Sequence, residues 1–343
     1  MSKNFDALKL SVEASMPNNT VLFDDRGMPS IMVKIPKFKI SDVITGGSQS
    51  THPAFIVNGV EKDYIYISKY QNIVIDDRAY SLPMQDPRAS VNFDQAKLYS
   101  ENKGQGWHLM TNAEWAAIAL WCLKNGFLPR GNNNYGADHS AAHEVGSMTS
   151  MSDATKIGRV ATGSGPVTWA HNGDSSGIYD LNGNVNEWVG GFRTLNGEIQ
   201  VIANNDAAIT GTNQTASSTL WKAIDESGAL IAPGTAGSLK YDNPTKLVKT
   251  LTGTPGSGSS SFETLPVDSS IATVPEILKA LGLAPAGTGL GGDSIYTNSD
   301  GERLASRGGA WSHTSTAVVF YLTGSHPRSS SSATFGFRSA FVE

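Results

Sequence analysis

The chain of 343 residues is long enough for one large domain or two of ordinary size, and its 39% hydrophobic and 17% charged residues, with 36 glycines, indicate a loop-rich globular protein with short strands. The net charge of -5 excludes a basic surface for nucleic acid, and the single cysteine, Cys122, excludes an internal disulfide framework and a cysteine-based metal cluster. No apolar run is long enough for a signal peptide or a membrane span, so we expect a protein that is made in the cytoplasm and does not insert into a membrane.

Residues 1–58 are predicted to form a small β-rich leading segment. Strand-like alternation occurs at 21–23, 31–35 and 38–40, and a linker-like run at 46–50 closes the segment. Two interpretations stay open: a β extension packed on the main domain, or a module for attachment or oligomerisation. Residues 59–343 are assigned to the main domain.

The next stretch predicts one strand and two helices. We expect a strand at 64–70 and a helix at 94–99. A longer helix begins after Thr111, which has capping-box spacing with Glu114, and ends at Gly126. Cys122 lies on the apolar face of this helix, so we interpret it as a buried small hydrophobic residue rather than a nucleophile.

Two places offer metal-ligand patterns. His139 and His143 are four residues apart, which suits a metal site on a helix, but the stretch lacks the glutamate and the third ligand of a zinc enzyme. Asn184 and Glu187 follow a turn predicted at 182–183 and carry the oxygen ligands of a calcium site, although we favour hydrogen bonds to the turn. We therefore expect no cofactor, with a structural calcium ion at Asn184 and Glu187 as the alternative.

Residues 194–300 are rich in Thr, Ser, Gly and Asn and predict a loop-rich insertion. One helix is expected in the run VPEILKALG, where Thr273 and Glu276 have capping-box spacing. Few core residues are expected in this region beyond Trp221 and Leu247.

The C-terminal segment, Arg307–Glu343, sets a few bulky or special residues among many Ser, Thr, Ala and His. These special residues are Arg307, Gly308, Gly309, Trp311, Phe320, Gly336, Phe337 and Arg338. Ordinary strands alternate apolar and polar residues, and disordered tails lack aromatic residues. The pattern therefore indicates a fixed framework with interchangeable side chains between its members.

Three blocks of sequence carry a resemblance to a known family. They are WHLMTNAEW from Trp107, NGNVNEW from Asn182, and RGGAW from Arg307 with GFR from Gly336. In this order they resemble the formylglycine-generating-enzyme/sulfatase-modifying-factor type of C-type lectin fold, over about residues 60–193 and 300–343. The resemblance implies an α+β domain with short strands, two main helices and many loops, preceded by the small β extension.

The oxidases of this superfamily convert a sulfatase cysteine to formylglycine. The resemblance implies that they hold copper with a pair of cysteines near the C-terminal motif, because soft thiolate ligation needs more than one thiol at the site. This chain has only Cys122, far upstream of that motif. Composition therefore excludes the oxidase function.

The C-terminal segment also resembles variable proteins diversified by a retroelement, whose C-type lectin scaffold displays hypervariable side chains for ligand binding. The resemblance divides the variable region, about residues 307–341, into two sets. The frame residues are Arg307, Gly308, Gly309, Trp311, Phe320, Leu322, Arg328, Gly336, Phe337, Arg338 and Ala340. The variable positions are Ala310, Ser312, His313, Thr316, Tyr321, Thr323, Ser325, His326, Ser330, Ser332, Ala333 and Thr334.

The amino acids at the variable positions fit the diversification mechanism of that family, which replaces adenines in Asn codons. Such changes give Ser, Thr, His or Ala, among others, and every variable position except Tyr321 holds one of those four. An ordinary Ser/Thr-rich loop is the alternative, but it would rarely keep Arg-Gly-Gly, Trp and Gly-Phe-Arg at the family spacing.

Together these features predict a ligand-binding protein that is not an enzyme. We expect the variable positions to be exposed, with His313, His326 and Tyr321 as the largest contact groups. The expected ligand is a host-cell surface receptor, or another protein or glycan, bound at the tip of a phage tail fibre on the virion. Weak binding per site favours a homo-oligomer or display in several copies on a particle. The alternative is an enzyme or a structural member of the same fold without diversification.

Overall fold

The computed structural model describes the backbone of residues 3–343 and the side chains of residues 5–343. The α-helices in this part are α1 (Lys3–Ser15), α2 (Ile40–Val43), α3 (Phe93–Glu101), α4 (Asn112–Lys124) and α5 (Glu276–Ala280). The strands are β1 (Asn19–Phe23), β2 (Pro29–Pro36), β3 (Ile56–Val57), β4 (Val60–Glu61), β5 (Tyr64–Ser68), β6 (Ile73–Ile75), β7 (Arg78–Tyr80), β8 (Trp107–Leu109), β9 (Ala137–Asp138), β10 (Ala141–Val145), β11 (Asn186–Leu195), β12 (Glu198–Ile202), β13 (Trp221–Ile224), β14 (Leu230–Ile231), β15 (Lys240–Asp242), β16 (Lys246–Val248), β17 (Ser257–Ser261), β18 (Ser294–Asn298), β19 (Glu302–Arg307), β20 (Leu322–His326), β21 (Phe335–Phe337) and β22 (Ser339–Phe341).

The last strand of the chain lies inside a five-stranded sheet of order β1-β2-β5-β22-β8. β22 is antiparallel to both of its neighbours, and Ala340 lies opposite Ile67 of β5 and His108 of β8. The end of the C-terminal segment is therefore fixed between strands from the first third of the chain.

An eleven-stranded sheet contains most of the remaining strands, with the main path β14-β13-β12-β11-β19-β20-β18-β17. β11 is antiparallel to β12 and β19 and parallel to β21, and β20 lies between β19 and β18. Because β20 and β21 join this sheet and β22 joins the other, the C-terminal segment connects the two sheets.

Residues 1–58 differ from the β-rich segment that the sequence predicts. Residues 3–15 form the helix α1, and β1 and β2 belong to the five-stranded sheet because β2 pairs with β5 along its length. Val12 of α1 packs with Val21 and Ile31 in one buried cluster, which gives the helix an apolar partner. The attachment or oligomerisation role of this segment stays a prediction.

Residues 194–300 are not the loop-rich insertion that the sequence predicts. They supply seven strands, β12 to β18, to the eleven-stranded sheet. Their buried residues go well beyond Trp221 and Leu247 and include Ile199, Ile224, Tyr241, Phe262, Leu283 and Ile295. Strands such as β17, with the sequence SGSSS, have no apolar alternation, so hydrophobic periodicity cannot reveal them.

The helices predicted at 94–99 and after Thr111 are confirmed as α3 and α4. At the start of α4 the Thr111 hydroxyl accepts the Glu114 N–H at 3.1 Å, and the Glu114 carboxylate accepts the Thr111 N–H at 2.9 Å. This capping box satisfies two backbone donors that a helix otherwise leaves free.

Two local predictions at helix starts are wrong. α5 has no cap from Thr273, because it begins only at Glu276, whose carboxylate accepts the backbone N–H of Ser48 at 2.7 Å instead. The strand expected at 38–40 gives way to helix α2, because the Asp42 carboxylate accepts the Lys39 N–H at 2.8 Å and so stabilises a helical turn there.

α4 lies in the largest core cluster and carries Cys122 into it. The Cys122 thiol is buried and donates to the His171 carbonyl at 3.3 Å, and burial raises its pKa. A buried, protonated thiol is unreactive, so its interpretation as a small core residue is confirmed. Across residues 3–343, none of the helices has the length and apolar character needed to cross a membrane.

Candidate functional site

The C-terminal segment begins at Arg307, whose side chain is buried beside the start of α4. Its Nη2 donates to Asn112 Oδ1 at 2.6 Å and to the Gly282 carbonyl at 2.9 Å. Burial lowers the pKa of Arg307 to about 10, so the guanidinium stays charged at neutral pH. These contacts fix the start of the segment to α4 and to the loop after α5.

Arg338 fixes the other end of the segment. Its Nε and Nη2 each lie 2.6 Å from an oxygen of the Glu187 carboxylate, and it also donates to the Ser68 and Tyr179 carbonyls at 3.0 Å. Arg338 and Glu187 are both buried. Both arginines therefore have the structural role expected of frame residues: a planar, bidentate donor held against carboxylate and carbonyl oxygens.

The calcium candidates Asn184 and Glu187 are committed to protein partners. Asn184 Oδ1 accepts from Asn132 Nδ2 at 3.1 Å and from the Val160 N–H at 2.9 Å, and Asn184 Nδ2 donates to Gln71 Oε1 at 2.9 Å. A calcium ion here would lie beside the guanidinium that occupies both Glu187 oxygens. These residues therefore do not fit a calcium ion. Their side chains do form hydrogen bonds, but the partners are Asn132, Val160, Gln71 and Arg338 rather than the predicted turn at 182–183.

The other metal candidates, His139 and His143, do not lie on a helix. They belong to the hairpin of β9 and β10, and the His139 ring contacts Asn133 at 3.0 Å. Over residues 3–343, no group of three or more His, Cys, Asp or Glu side chains is arranged to hold a metal ion.

Gly308 and Gly309 allow a turn that other residues would strain. Their φ angles are 78° and 73°, and a Cβ on Gly309 would lie 2.4 Å from the Cβ of Ala317. The Gly308 carbonyl accepts the Gly183 N–H at 2.7 Å. The turn predicted at 182–183 therefore packs directly against the Arg-Gly-Gly motif.

Asp293 supports the C-terminal segment from outside it. Its buried carboxylate accepts the backbone N–H groups of Val318 and Phe320, the latter at 2.7 Å. Burial raises the pKa of Asp293 to about 8. A single aspartate after two glycines gives no sequence signal for this role, although it holds the loop that leads into β20.

Exposure separates the frame residues from most of the variable positions. All frame residues except Arg328 are buried, and Arg328 is half-buried in ion pairs with Glu302 and Asp94. Nine variable positions reach the surface. The exposed ones are Ser312, Ser332 and Ala333, and the half-buried ones are His313, Thr316, Ser325, His326, Ser330 and Thr334. We call these nine residues the variable face.

Three variable positions are buried, contrary to the predicted exposure: Ala310, Tyr321 and Thr323. Ala310 packs with Val185 and Trp311. Tyr321 is covered by His313, with ring centroids 5.1 Å apart and the Tyr321 hydroxyl 3.2 Å from Nε2. Thr323 lies in β20, which has a neighbouring strand on each side. In each case packing against an adjacent element covers the side chain.

The two histidines are the largest groups of the variable face. His313 Nδ1 accepts the Ala310 N–H at 2.8 Å, and the His326 ring lies 4.8 Å from that of Phe335. Burial lowers the pKa of both histidines, so both are neutral at pH 7. With its serines and threonines, the face offers neutral hydrogen-bonding groups to a ligand.

Two residues outside the predicted site border the variable face. The Tyr296 ring of β18 lies 5.8 Å from that of Tyr321. Burial is the largest cause of the lowered pKa of His326, and the positive charge of Arg303 on β19 is the second. Both residues precede the Arg-Gly-Gly motif, and no single-sequence signal marks them.

Residues 312–316 and 330–334 of the variable face are both connected to the buried cluster that contains Trp311. Tyr135 and Ala89 pack against this cluster, and the Tyr135 N–H donates to the Trp311 carbonyl at 2.7 Å. The residue after Ala89, Ser90, donates its N–H to the Ser332 carbonyl at 3.0 Å. Positions 312–316 and 330–334 therefore flank one supporting cluster.

Two sheets joined by a C-terminal segment with buried arginines and left-handed glycines define a C-type lectin-like domain of the formylglycine-generating-enzyme type. The chain belongs to the sulfatase-modifying factor enzyme 1-like domain family, whose sequence profile matches residues 11–341. The match confirms the predicted α+β fold class, and it runs through residues 194–300 as well.

Comparison with curated proteins gives no match. Among solved structures, the chain is similar to PvdO from Pseudomonas aeruginosa, with 12% identity, a TM-score of 0.33, and 96% of this chain and 100% of that chain covered. It is similar to Treponema denticola variable protein 1, with 13% identity, a TM-score of 0.34, and 95% and 99% covered. It is also similar to the Major Tropism Determinant P3c variant, with 11% identity, a TM-score of 0.32, and 94% and 71% covered. These likenesses are too distant to carry a functional argument.

Proposed function

We propose that the chain is a retroelement-diversified variable protein, a non-enzymatic binder whose variable face contacts the ligand while the frame residues hold the scaffold. The observation that carries this proposal is the separation by exposure. Ten of the eleven frame residues are buried, whereas nine of the twelve variable positions reach the surface.

The chemistry of the variable face supports binding rather than catalysis. Hydroxyl groups adapt their hydrogen bonds to different partners, and neutral imidazoles add contact area at a modest entropic cost. The family name refers to an enzyme, but this chain's one cysteine, Cys122, is buried in the core. The thiol pair that the resemblance attributes to the oxidase cannot form in this chain.

The finer proposal concerns the partner. The ligand is a host-cell surface receptor, protein or glycan, and the protein is displayed in several copies on a phage particle. This proposal rests on the sequence resemblance of the C-terminal segment. A face poor in large anchoring residues binds weakly per site, so several linked copies would supply the affinity through avidity.

Sequencing of the DNA around the gene tests the proposal. We expect a near-identical repeat of the codons for 307–343, with adenines at the codons of the variable positions, beside a reverse transcriptase gene. Sister copies should then differ at the variable positions and agree at the frame residues. Absence of the repeat, or differences spread evenly over both sets, would leave the non-diversified enzyme or structural protein as the better explanation.

A further inference from the structure

A cleft of about 400 Å³ opens on a part of the molecule that the proposed function does not use. It lies between β2, α2 and the last turns of α4. Its apolar lining includes Val33, Val43 and Ile118, with the half-buried Trp121 beside them. Since no residue of the C-terminal segment lines it, the cleft would be the same in every diversified copy of the protein.

One polar group in the cleft has a hydrogen atom to donate and no acceptor. His171 lines the cleft, is only 6% exposed, and packs its ring 5.2 Å from that of Trp121. Its Nδ1 accepts the Ile178 N–H at 2.8 Å, which places the proton of the neutral ring on Nε2. Among the described residues, no atom accepts a hydrogen bond from Nε2. Nε2 therefore depends on water or a ligand in the cleft for its hydrogen-bond partner.

The charges around the cleft favour an anion. Lys34, Lys37, Lys124 and the carboxylate of Asp42 line it. Lys37 is paired with acidic residues outside the cleft, and the Lys34 ammonium lies 3.6 Å from the centre of the Tyr64 ring. Lys124 has no ion pair within residues 5–343 and is therefore the ammonium best able to meet a ligand.

A neighbouring charge adds to this preference. Burial lowers the pKa of His171 to about 3, and the nearby Lys69 ammonium contributes to that shift. His171 is therefore neutral at physiological pH and acts as a donor. The positive charge that disfavours its protonation also favours an anion in the cleft.

We propose that this cleft binds a carboxylate attached to an apolar group, with the carboxylate accepting from His171 Nε2 and approaching Lys124. The apolar part of the ligand packs against Trp121 and Ile118. Such a carboxylate has two sources, a free small acid or the C-terminus of a peptide chain. Both present the same chemistry to the cleft, and the experiment separates them.

The test uses the full chain labelled with ¹⁵N-tryptophan, which gives seven indole N–H resonances. The variant Trp121→Phe assigns the Trp121 signal. The probes are 4-phenylbutyrate and 4-phenylbutanol, which share an apolar body and differ in the carboxylate. We expect the acid to move the Trp121 resonance in a saturable way, and the alcohol to bind about tenfold more weakly because it lacks the charge-assisted hydrogen bond.

Two variants locate the carboxylate. Lys124→Gln should lower the affinity for 4-phenylbutyrate about fivefold. The matched control Lys222→Gln, at a lysine outside the cleft, should leave that affinity unchanged. His171→Asn keeps an acceptor near the Ile178 N–H and removes the Nε2 donor. It should therefore lower the affinity for 4-phenylbutyrate about tenfold. If His171→Asn fails to fold, two comparisons still test the proposal: 4-phenylbutyrate against 4-phenylbutanol, and Lys124→Gln against Lys222→Gln.

The peptide Gly-Ser-Leu-Phe, with a free C-terminus or a C-terminal amide, identifies the source. Tighter binding of the free-acid peptide than of 4-phenylbutyrate indicates a chain terminus, and binding of 4-phenylbutyrate alone indicates a small acid. Equal binding of acid and alcohol, equal effects of Lys124→Gln and Lys222→Gln, or a Trp121 resonance that does not move would overturn the proposal. None of these outcomes depends on the variable face.

Discussion

Residues 194–300 and the C-terminal segment have similar compositions, rich in Ser, Thr and Gly, but different interactions hold them in the fold. Residues 194–300 bury scattered apolar side chains such as Tyr241, Phe262 and Leu283 between polar strands. The C-terminal segment also buries aromatic side chains such as Phe320 and Phe337, and its two buried arginines, Arg307 and Arg338, add hydrogen bonds that fix both of its ends. The exposed positions between these fixed residues can therefore change without loss of the core.

The largest expected effect is at the anchor Arg338. Arg338→Met removes the partner of the buried Glu187 carboxylate and should lower the free energy of unfolding by about 3–5 kcal/mol, as measured by urea denaturation. The double variant Arg338→Met with Glu187→Gln should recover part of that loss, because no buried charge is left unpaired. A loss below about 1 kcal/mol for the single variant would show that the ion pair does not anchor the segment.

A comparable loss is expected at Phe262, because residues 194–300 contribute to the core. Phe262 is fully buried, so Phe262→Ala should cost about 3–5 kcal/mol of unfolding free energy. Leu220→Ala, in the same region but 43% exposed, is the matched control and should cost less than about 1 kcal/mol. Equal and small losses of unfolding free energy for both variants would contradict this core and support the loop-rich insertion that the sequence predicts.

Acid should weaken the docking of residues 194–300 through His52. This buried ring contacts the Ala280 carbonyl at 2.9 Å through Nε2, and burial lowers its pKa to about 4 from 6.5. Its contribution is therefore intact above pH 6.5 and is lost as the pH falls towards 4, by about 3 kcal/mol in total. Urea denaturation at pH 7 and pH 4 should show a smaller acid loss for His52→Gln than for the parent chain. An equal loss would contradict the buried neutral ring.

A smaller effect is expected at the turn of the frame. Gly309→Ala should cost about 2 kcal/mol more than Gly234→Ala in thermal or urea unfolding. Both glycines have similar φ angles, 73° and 79°, but an added Cβ clashes with Ala317 only at Gly309 and meets nothing within 4 Å at Gly234. Equal costs would mean that the close approach at Gly309 does not constrain the frame.

The sequence predicts the frame better than it predicts the surroundings of the frame. The structural roles of Arg307 and Arg338 follow from residue type, because a buried guanidinium needs carbonyl or carboxylate partners. The identity of their partners does not follow from residue type. Asn112 is 195 residues from Arg307 along the chain, and Glu187 is 151 residues from Arg338. Contacts at such separations depend on the sheet topology, which local patterns do not encode.

The burial of some variable positions also cannot be predicted from the sequence. Tyr321 is covered by His313 and Tyr296, and its loop is held by the buried carboxylate of Asp293. A single sequence shows that these residues occur but not that they converge. Likewise, hydrophobic periodicity cannot predict the strand β17, because its side chains are small and polar on both faces.

The most direct test of the account is the stability of one variant with three changes on the variable face: Ser312→Asn, Ser332→Asn and Ala333→Asn. All three side chains are exposed, so urea denaturation should give an unfolding free energy within about 1 kcal/mol of the parent chain. A loss of more than about 2 kcal/mol would contradict the separation of frame and variable face, because it would show that these side chains support the fold.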